Sequence, residues 1–327
     1  MTRKVQHSLL NQAKINKKDE FYTQLSDIER ELKHYTEHFK GRTVFCNCDD
    51  VRFSNFFQYF VSNFKKLGLK KLICACYYKN EQDLFSETEN NNGFYYEYTG
   101  VEKNKPDLGD VTYFNGSGDF RNSESIELLK QSDIVVTNPP FSLFREFVNQ
   151  LMTYNKKFLI IGNINAITYK EIFNLIKENK IWLGINLGRG ISGFIVPEHY
   201  DLYGQETKID TFGNRIISPN NCLWLTNLNN YKRNEYILLT KKYYGNEKEY
   251  AHYDNYNGIN VNKTKDIPMD YDGAIGVPIT FLHKFNPLQF EIIQFRKGID
   301  GKDLSINGKC PYFRILIRNK QTANVSI

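Results

Sequence analysis

Residues Asp133 to Thr137 form a short apolar run that Asn138-Pro139-Pro140-Phe141 brings to a stop, and this junction restricts the fold more than any other stretch. Two successive prolines lack two backbone N–H donors, so a ladder of strand hydrogen bonds cannot run through them. Pro139 also keeps Asn138 extended. Beyond the turn, Ser142 is predicted to cap an amphipathic helix carrying Leu143, Phe144, Phe147 and Leu151. Strand, tight polar turn, helix is the arrangement at which open α/β sheets bind ligands. The Asn138 amide oxygen and the Pro139 carbonyl can together accept both hydrogens of an amino group, with Phe141 as a flat surface for its ring. A purely structural turn competes with this reading, because Asn-Pro commonly opens turns.

With 327 residues the chain can hold one large α/β domain and a smaller second one. Its formal charge of +6 points to a polyanionic partner. No apolar run approaches the ~20 residues that span a bilayer, and Arg3-Lys4-Val5 opens no secretory segment. The expectation is a cytosolic protein without a membrane partner, its six cysteines reduced.

Val44 to Cys48 and Leu72 to Cys76 read as strands around a helix bearing Phe53, Phe56, Phe57, Phe60 and Phe64, a parallel β-α-β unit. The turn after the first strand holds Asp49-Asp50 where a nucleotide-binding unit usually carries glycines. Carboxylates repel a pyrophosphate and favour a cationic cofactor without phosphate. In Gly116-Ser117-Gly118-Asp119-Phe120, Asp119 is placed to accept from an adenine amino group and Phe120 to pack on the ring; a turn with a core phenylalanine is the alternative. Cys46/Cys48 and Cys74/Cys76 could converge on zinc, but their spacing is shorter than the usual two to four intervening residues. Buried cysteine is the stronger reading, and no metal is expected.

Phe158 to Gly162, Ile181 to Ile185 and Cys222 to Thr226 are further predicted strands, Cys222 to Thr226 resembling the last strand of the sheet. Phe94 to Tyr98 is a hairpin strand or an excursion. Helices are predicted from the Ser26/Glu29 capping box to Phe39, from Tyr169 to Ile176, and from Pro287 to Phe295. Gly188-Arg189-Gly190 reads as a mobile lip. Arg3, Lys4, Lys14, Lys17 and Lys18 precede the first acid, Asp19, as a solvated tail or a phosphate-touching arm. Tyr231-Lys232-Arg233 and Lys241-Lys242-Tyr243-Tyr244 interleave bases with aromatics, as a nucleic-acid surface or a solvated basic face does.

Phe21-Tyr22-Thr23, Cys46-Asn47-Cys48-Asp49-Asp50, Gly118-Asp119-Phe120, Asn138 to Phe141 and Val277-Pro278-Ile279-Thr280-Phe281, in that order, make the chain resemble the EcoRI-type DNA adenine-N6 methyltransferases nearly end to end. The resemblance implies an α/β fold: a Rossmann-like methyltransferase sheet with the basic arm in residues 1–228, and a smaller target-recognition region in 229–327. It implies S-adenosylmethionine as cofactor, bound by Phe21, Tyr22, Thr23, Asn47, Cys48, Asp49, Asp119 and Phe120. Asn138, Pro139, Pro140 and Phe141 become the catalytic turn. Double-stranded DNA becomes the substrate, touched by Lys14, Lys17, Lys18, Arg189, Lys232 and Arg233. The resemblance further implies a bacterial monomer at the nucleoid, modifying the second adenine of GAATTC, with a cognate restriction endonuclease that shares the site without a stable complex. An adenine inside a duplex hides its amino group, so the base has to be flipped out. The glycine-rich first motif of broader methyltransferases is absent. Methylation of RNA or of a protein amide, and a catalytically inactive DNA-binding module, are the competing readings.

Overall fold

The computed structural model describes residues 22–77, 92–187, 193–196, 207–209, 213–217 and 222–322. Two compact units divide the chain: Met1–Ala166 with Gly184–Leu228, and Ile167–Leu183 with Asn229–Ile327. The segment Ile167–Leu183 thus groups with the second unit, an exchange that no local pattern marks.

The strands of the first part are β1 (Tyr22–Thr23), β2 (Thr43–Asn47), β3 (Lys71–Cys76), β4 (Phe94–Tyr98), β5 (Thr112–Tyr113), β6 (Ile134–Thr137), β7 (Lys157–Asn163), β8 (Trp182–Leu187), β9 (Phe194–Val196), β10 (Thr207–Ile209), β11 (Arg215–Ile217) and β12 (Cys222–Thr226). One mixed sheet runs β5-β4-β3-β2-β6-β7-β12-β8. Its centre, β3-β2-β6-β7, is parallel, and β2 and β6 are buried at every position. Near-continuous apolar strands are what a parallel sheet covered on both faces requires. Cys222 to Thr226 is the last strand of this sheet in chain order; it runs antiparallel to β7, with β8 at the edge beyond it. Phe94 to Tyr98 is a sheet strand, antiparallel to β3.

The chain leaves β2 for β3 on one side and later returns to β6 on the other. That reversal is a topological switch point, where a crevice opens at the carboxyl ends of the strands. The longer helices among the described residues of this unit are α1 (Leu25–Leu32), α2 (Asn55–Ser62), α3 (Ser123–Gln131) and α4 (Phe144–Thr153). Phe56, Phe57 and Phe60 of α2 are all buried, each such side chain contributing roughly 1.5–3 kcal/mol. A separate antiparallel sheet has the order β1-β9-β11-β10.

In the second unit, β13 (Ala251–Tyr253), β14 (Tyr256–Asn260), β15 (Ala274–Pro278), β16 (Phe290–Phe295) and β17 (Arg314–Asn319) form a sheet of order β13-β14-β15-β17-β16. Helix α5 (Lys170–Lys177) packs on β16, with Phe173 5.2 Å from Phe295. Tyr243, expected on a nucleic-acid surface, is buried 4.5 Å from Tyr271, whereas Tyr244 is exposed. Among the described residues no helix is long and apolar enough to cross a membrane.

Three local expectations are corrected. Helix α1 starts at Leu25, with Gln24 at the N-cap position making no side-chain cap bond and Ser26 already inside the helix, and ends at Leu32 before a separate turn of helix at Thr36–Phe39. Ser142 sits inside a 3₁₀ turn, Phe141–Leu143, and the helix after it starts at Phe144. The predicted helix Pro287 to Phe295 is largely strand β16: Phe290 and Ile292 are buried and Glu291 exposed, a period of two, and pairing with β17 overrides the helical spacing.

Candidate active site

The ladder between β2 and β6 ends at Phe45↔Val135. Asn47 and Thr137 lie beyond it, on opposite sides of the switch point. Here a side chain replaces the ladder: Thr137 Oγ1 donates to the Asn47 carbonyl and lies 2.6 Å from Asp49 Oδ2. The next residue is Asn138, half-buried, followed by buried Pro139.

The turn after β2 is sharply bent. Cys48 has φ +82°, and the N–H groups of Cys48 and Asp49 both donate to the Ala75 carbonyl, at 3.0 and 2.8 Å. Ser54 donates to Asp49 Oδ1 at 2.8 Å and accepts from the Phe57 N–H at 3.2 Å, capping α2. Burial pushes the Asp49 carboxyl up to about 7, against the bonds from Thr137 and Ser54 and with a smaller contribution from Asp50. Asp50 instead forms a paired contact with Arg52, at 3.0 and 2.5 Å. Burial also pushes the Cys46, Cys48 and Cys74 thiols up. Because Cys48 lies past the strand, the two cysteine pairs do not present four thiols on one face; Cys46 and Cys74 are register partners inside it.

Strand β1 is brought to the same place. Asn55, at the start of α2, donates to the Thr23 carbonyl at 2.8 Å, and Thr23 pairs with Phe194 in β9. Phe194 meets Phe141 edge-on at 6.2 Å. Thr23 is buried, and its Oγ1 has no hydrogen-bond partner among the described residues. Gly118, with φ +74°, closes against β3: a Cβ there would stand 2.7 Å from the Cys76 carbonyl oxygen. Asp119 is thereby carried to the end of β3, where Arg121 holds it through bonds of 2.9 and 2.8 Å. Burial opposes ionisation of Asp119, but these bonds keep its carboxyl below the usual range. Phe120 turns into the core, 5.1 Å from Phe147.

The sequence matches the family of adenine-specific methyltransferase EcoRI over residues 9–320. It is 66% identical to the type II methyltransferase M.EcoRI of Escherichia coli, across 98% of this chain and 99% of that one. It is 38% identical to the type II methyltransferase M.MgeORF184P of Mycoplasma genitalium and 36% identical to M.MpnI of Mycoplasma pneumoniae, each across 95% of this chain and 98% of the relative. The chain belongs to the EcoRI family of adenine-specific methyltransferases. It is an enzyme, an adenine-specific methyltransferase. No solved structure matches it.

In this methyltransferase, Thr23, Asn47, Cys48, Asp49, Asp119 and the Asn138 to Phe141 turn gather around the carboxyl ends of β2, β3 and β6. Tyr22 contributes its backbone to β1, while Phe21, Lys14, Lys17, Lys18 and Arg189 lie outside the described residues. Lys232 and Arg233 belong to the second unit, and Arg233 is engaged within it: its guanidinium lies 3.6 Å from the Trp182 ring centre and donates to Asn179. Lys232 Nζ contacts His283 Nε2. Phe281, in the Val277 to Phe281 stretch, is fully buried against Phe290. Sequence reasoning missed Thr137, which reads as an ordinary strand end, Ser54 and Asn55, which fall within the predicted phenylalanine-rich helix, and Phe194.

Proposed function

We propose that this methyltransferase transfers a methyl group from S-adenosylmethionine to the N6 amino group of an adenine flipped out of duplex DNA, at GAATTC, as the modifying half of a restriction-modification system. The observation that carries the reading is the position of Asn138-Pro139-Pro140-Phe141 at the switch-point end of β6, across from the acid-lined turn of β2.

The residues present suit S-adenosylmethionine. The buried Thr23 hydroxyl lacks a partner among the described residues, the β2 turn carries carboxyls in place of a pyrophosphate-binding glycine loop, and the partly exposed Phe141 ring is backed by the core residue Phe194. Thr23, Asn47, Cys48, Asp49 and Asp119 would hold the cofactor, with Phe120 anchoring the Asp119 loop in the core against Phe147. When bound, it supplies an electrophilic methyl group on a sulfonium.

Asn138 Oδ1 and the Pro139 carbonyl then accept the two amino hydrogens of adenine. They draw the nitrogen towards tetrahedral geometry and free its lone pair for in-line attack. Both acceptors gain as positive charge develops on nitrogen, which is the differential stabilisation that catalysis needs. Stacking on Phe141 contributes ~1–3 kcal/mol against a flipping cost of a few kcal/mol. No protein base is required before transfer.

The second unit is assigned to target recognition, acting in a monomer on duplex DNA. Modification-sensitive sequencing of DNA from an expressing strain tests the proposal. N6-methyladenine at the second adenine of GAATTC supports it; DNA without N6-methyladenine there overturns it.

A further inference from the structure

Parallel strands that part at a switch point leave their last backbone groups without ladder partners, and the crevice gains its ligand space at the expense of rigidity. Here the gap is closed by one hydroxyl. Thr137 is fully buried and is the last residue of β6; its Oγ1 donates to Asn47, the last residue of β2, and meets Asp49 Oδ2 at 2.6 Å. Asp49 is itself fixed on three further sides. Ser54 donates to its other carboxyl oxygen at 2.8 Å, its N–H donates to Ala75 at 2.8 Å, and its carbonyl accepts from Cys74 Sγ at 3.2 Å. The hydroxyl is therefore anchored to β2, and through Asp49 to β3 and the cap of α2, while its own backbone continues directly into Asn138.

We propose that Thr137 is a positioning residue for methyl transfer: its hydroxyl clasps the two sides of the switch-point crevice and fixes the Asn138 turn against the β2 turn. The inference rests on the reading that Asn138 acts on the amino group. The clasp works in either protonation state of Asp49. An ionised carboxylate accepts from Thr137, and a neutral carboxyl donates to Thr137 while Thr137 donates to Asn47. Two structural consequences distinguish it from ordinary packing. Valine at position 137 keeps the shape and loses the clasp, whereas serine loses a methyl group and keeps it. Removing Asp49 breaks the same clasp from the other side.

The test measures single-turnover methyl transfer to duplex DNA, S-adenosylmethionine affinity by calorimetry, and Tm, for the full chain and for Thr137→Val, Thr137→Ser, Asp49→Ala, the Thr137→Val/Asp49→Ala double variant and Asn138→Ala. Thr137→Val is expected to slow transfer about 10- to 100-fold, the scale of a small misplacement of a catalytic group, with cofactor affinity changed less than about threefold. Thr137→Ser restores the rate to within about threefold of the parent, and the double variant is no slower than Asp49→Ala, because both changes break one interaction. Parental rates in Thr137→Val overturn the inference, as do equal losses in Thr137→Val and Thr137→Ser, or additive losses in the double variant. If Thr137→Val does not fold, the serine rescue and the Asp49→Ala rate still decide it: slow Thr137→Ser with a parental Asp49→Ala rate overturns it. Full activity in Asn138→Ala would instead overturn the reading of the turn itself.

Discussion

Asp49 Oδ2 lies 2.6 Å from Thr137 Oγ1, so the first carboxyl of the β2 turn faces inward, across the floor of the crevice. Asp50 and Asp119 each face an arginine, Arg52 and Arg121; Asp49 is held by hydroxyls instead. On the proposed reading, with S-adenosylmethionine bound beside Asp49, cofactor binding is tied to a proton. Burial pushes Asp49 up to about 7, and a cationic cofactor beside it favours the ionised form. Its other neighbours, the Cys46, Cys48 and Cys74 thiols, are pushed further from ionisation. S-adenosylmethionine binding is expected to release up to roughly half a proton at neutral pH, and affinity to rise with pH through about 7. Calorimetry in buffers of different ionisation enthalpy reads the release directly. Asp49→Asn should bind with no such dependence; an unaltered proton release in that variant would refute the linkage.

Thr23 offers an independent check on the cofactor side. Its Oγ1 is buried without a partner among the described residues, and such a group destabilises a protein unless something else satisfies it. Thr23→Val should leave Tm unchanged or higher and weaken S-adenosylmethionine binding about tenfold, the worth of one hydrogen bond. Unchanged affinity would mean the hydroxyl takes no part in binding.

Glu31 is expected to be the costliest single loss in the first unit outside the crevice. Its fully buried carboxylate accepts from the N–H groups of Ile185 and Asn186 at 2.7 and 2.9 Å, from Asn186 Nδ2 at 2.7 Å and from Tyr35 Oη at 2.9 Å. Burial raises its pKa, and these four donors work against that rise. Glu31→Ala would strand several donors and cost about 3 kcal/mol or more; Glu31→Gln, which keeps one acceptor, should cost less. Chemical denaturation of both variants measures the difference, and equal costs would show that neither the retained acceptor nor the retained volume contributes.

The parts of the fold that periodicity encodes were legible in the chain. Val44 to Cys48, Leu72 to Cys76 and Asp133 to Thr137 are apolar enough to announce buried strands, and the double proline marks where one of them stops. Partnership was not legible. Phe290 to Phe295 becomes a strand because β17 lies beside it, and Ser26 is not a cap because the helix begins one residue earlier at Leu25. The same holds for the site. Asn138 and Asp49 could be singled out by residue type, but Thr137, Ser54 and Phe194 owe their places to bonds spanning 88, 5 and 171 positions. Arg233 shows the converse: a basic residue in an apparently nucleic-acid-like stretch spends its guanidinium on Trp182 and Asn179.

The second unit has a pH-sensitive residue of its own. Burial, then Lys232 and Lys284, press the His283 pKa down to about 4 from 6.5. The folded value is the lower one, so the unfolded chain binds the proton first on acidification. Stability is fully present above pH 6.5 and is lost as pH falls towards 4, by at most about 3 kcal/mol and less after screening at this partly exposed site. His283→Gln should flatten the fall of Tm between pH 6.5 and 4. Parallel Tm profiles for parent and variant would show that His283 does not carry the effect.

The central claim is that Asn138 acts on the amino group and not on the cofactor. Methyl transfer by Asn138→Ala to a GAATTC duplex, measured alongside S-adenosylmethionine affinity on the same preparation, tests it most directly. The expected result is affinity within about threefold of the parent and transfer reduced at least about 100-fold, the scale of losing one preorganised acceptor. Transfer at the parental rate would contradict the account.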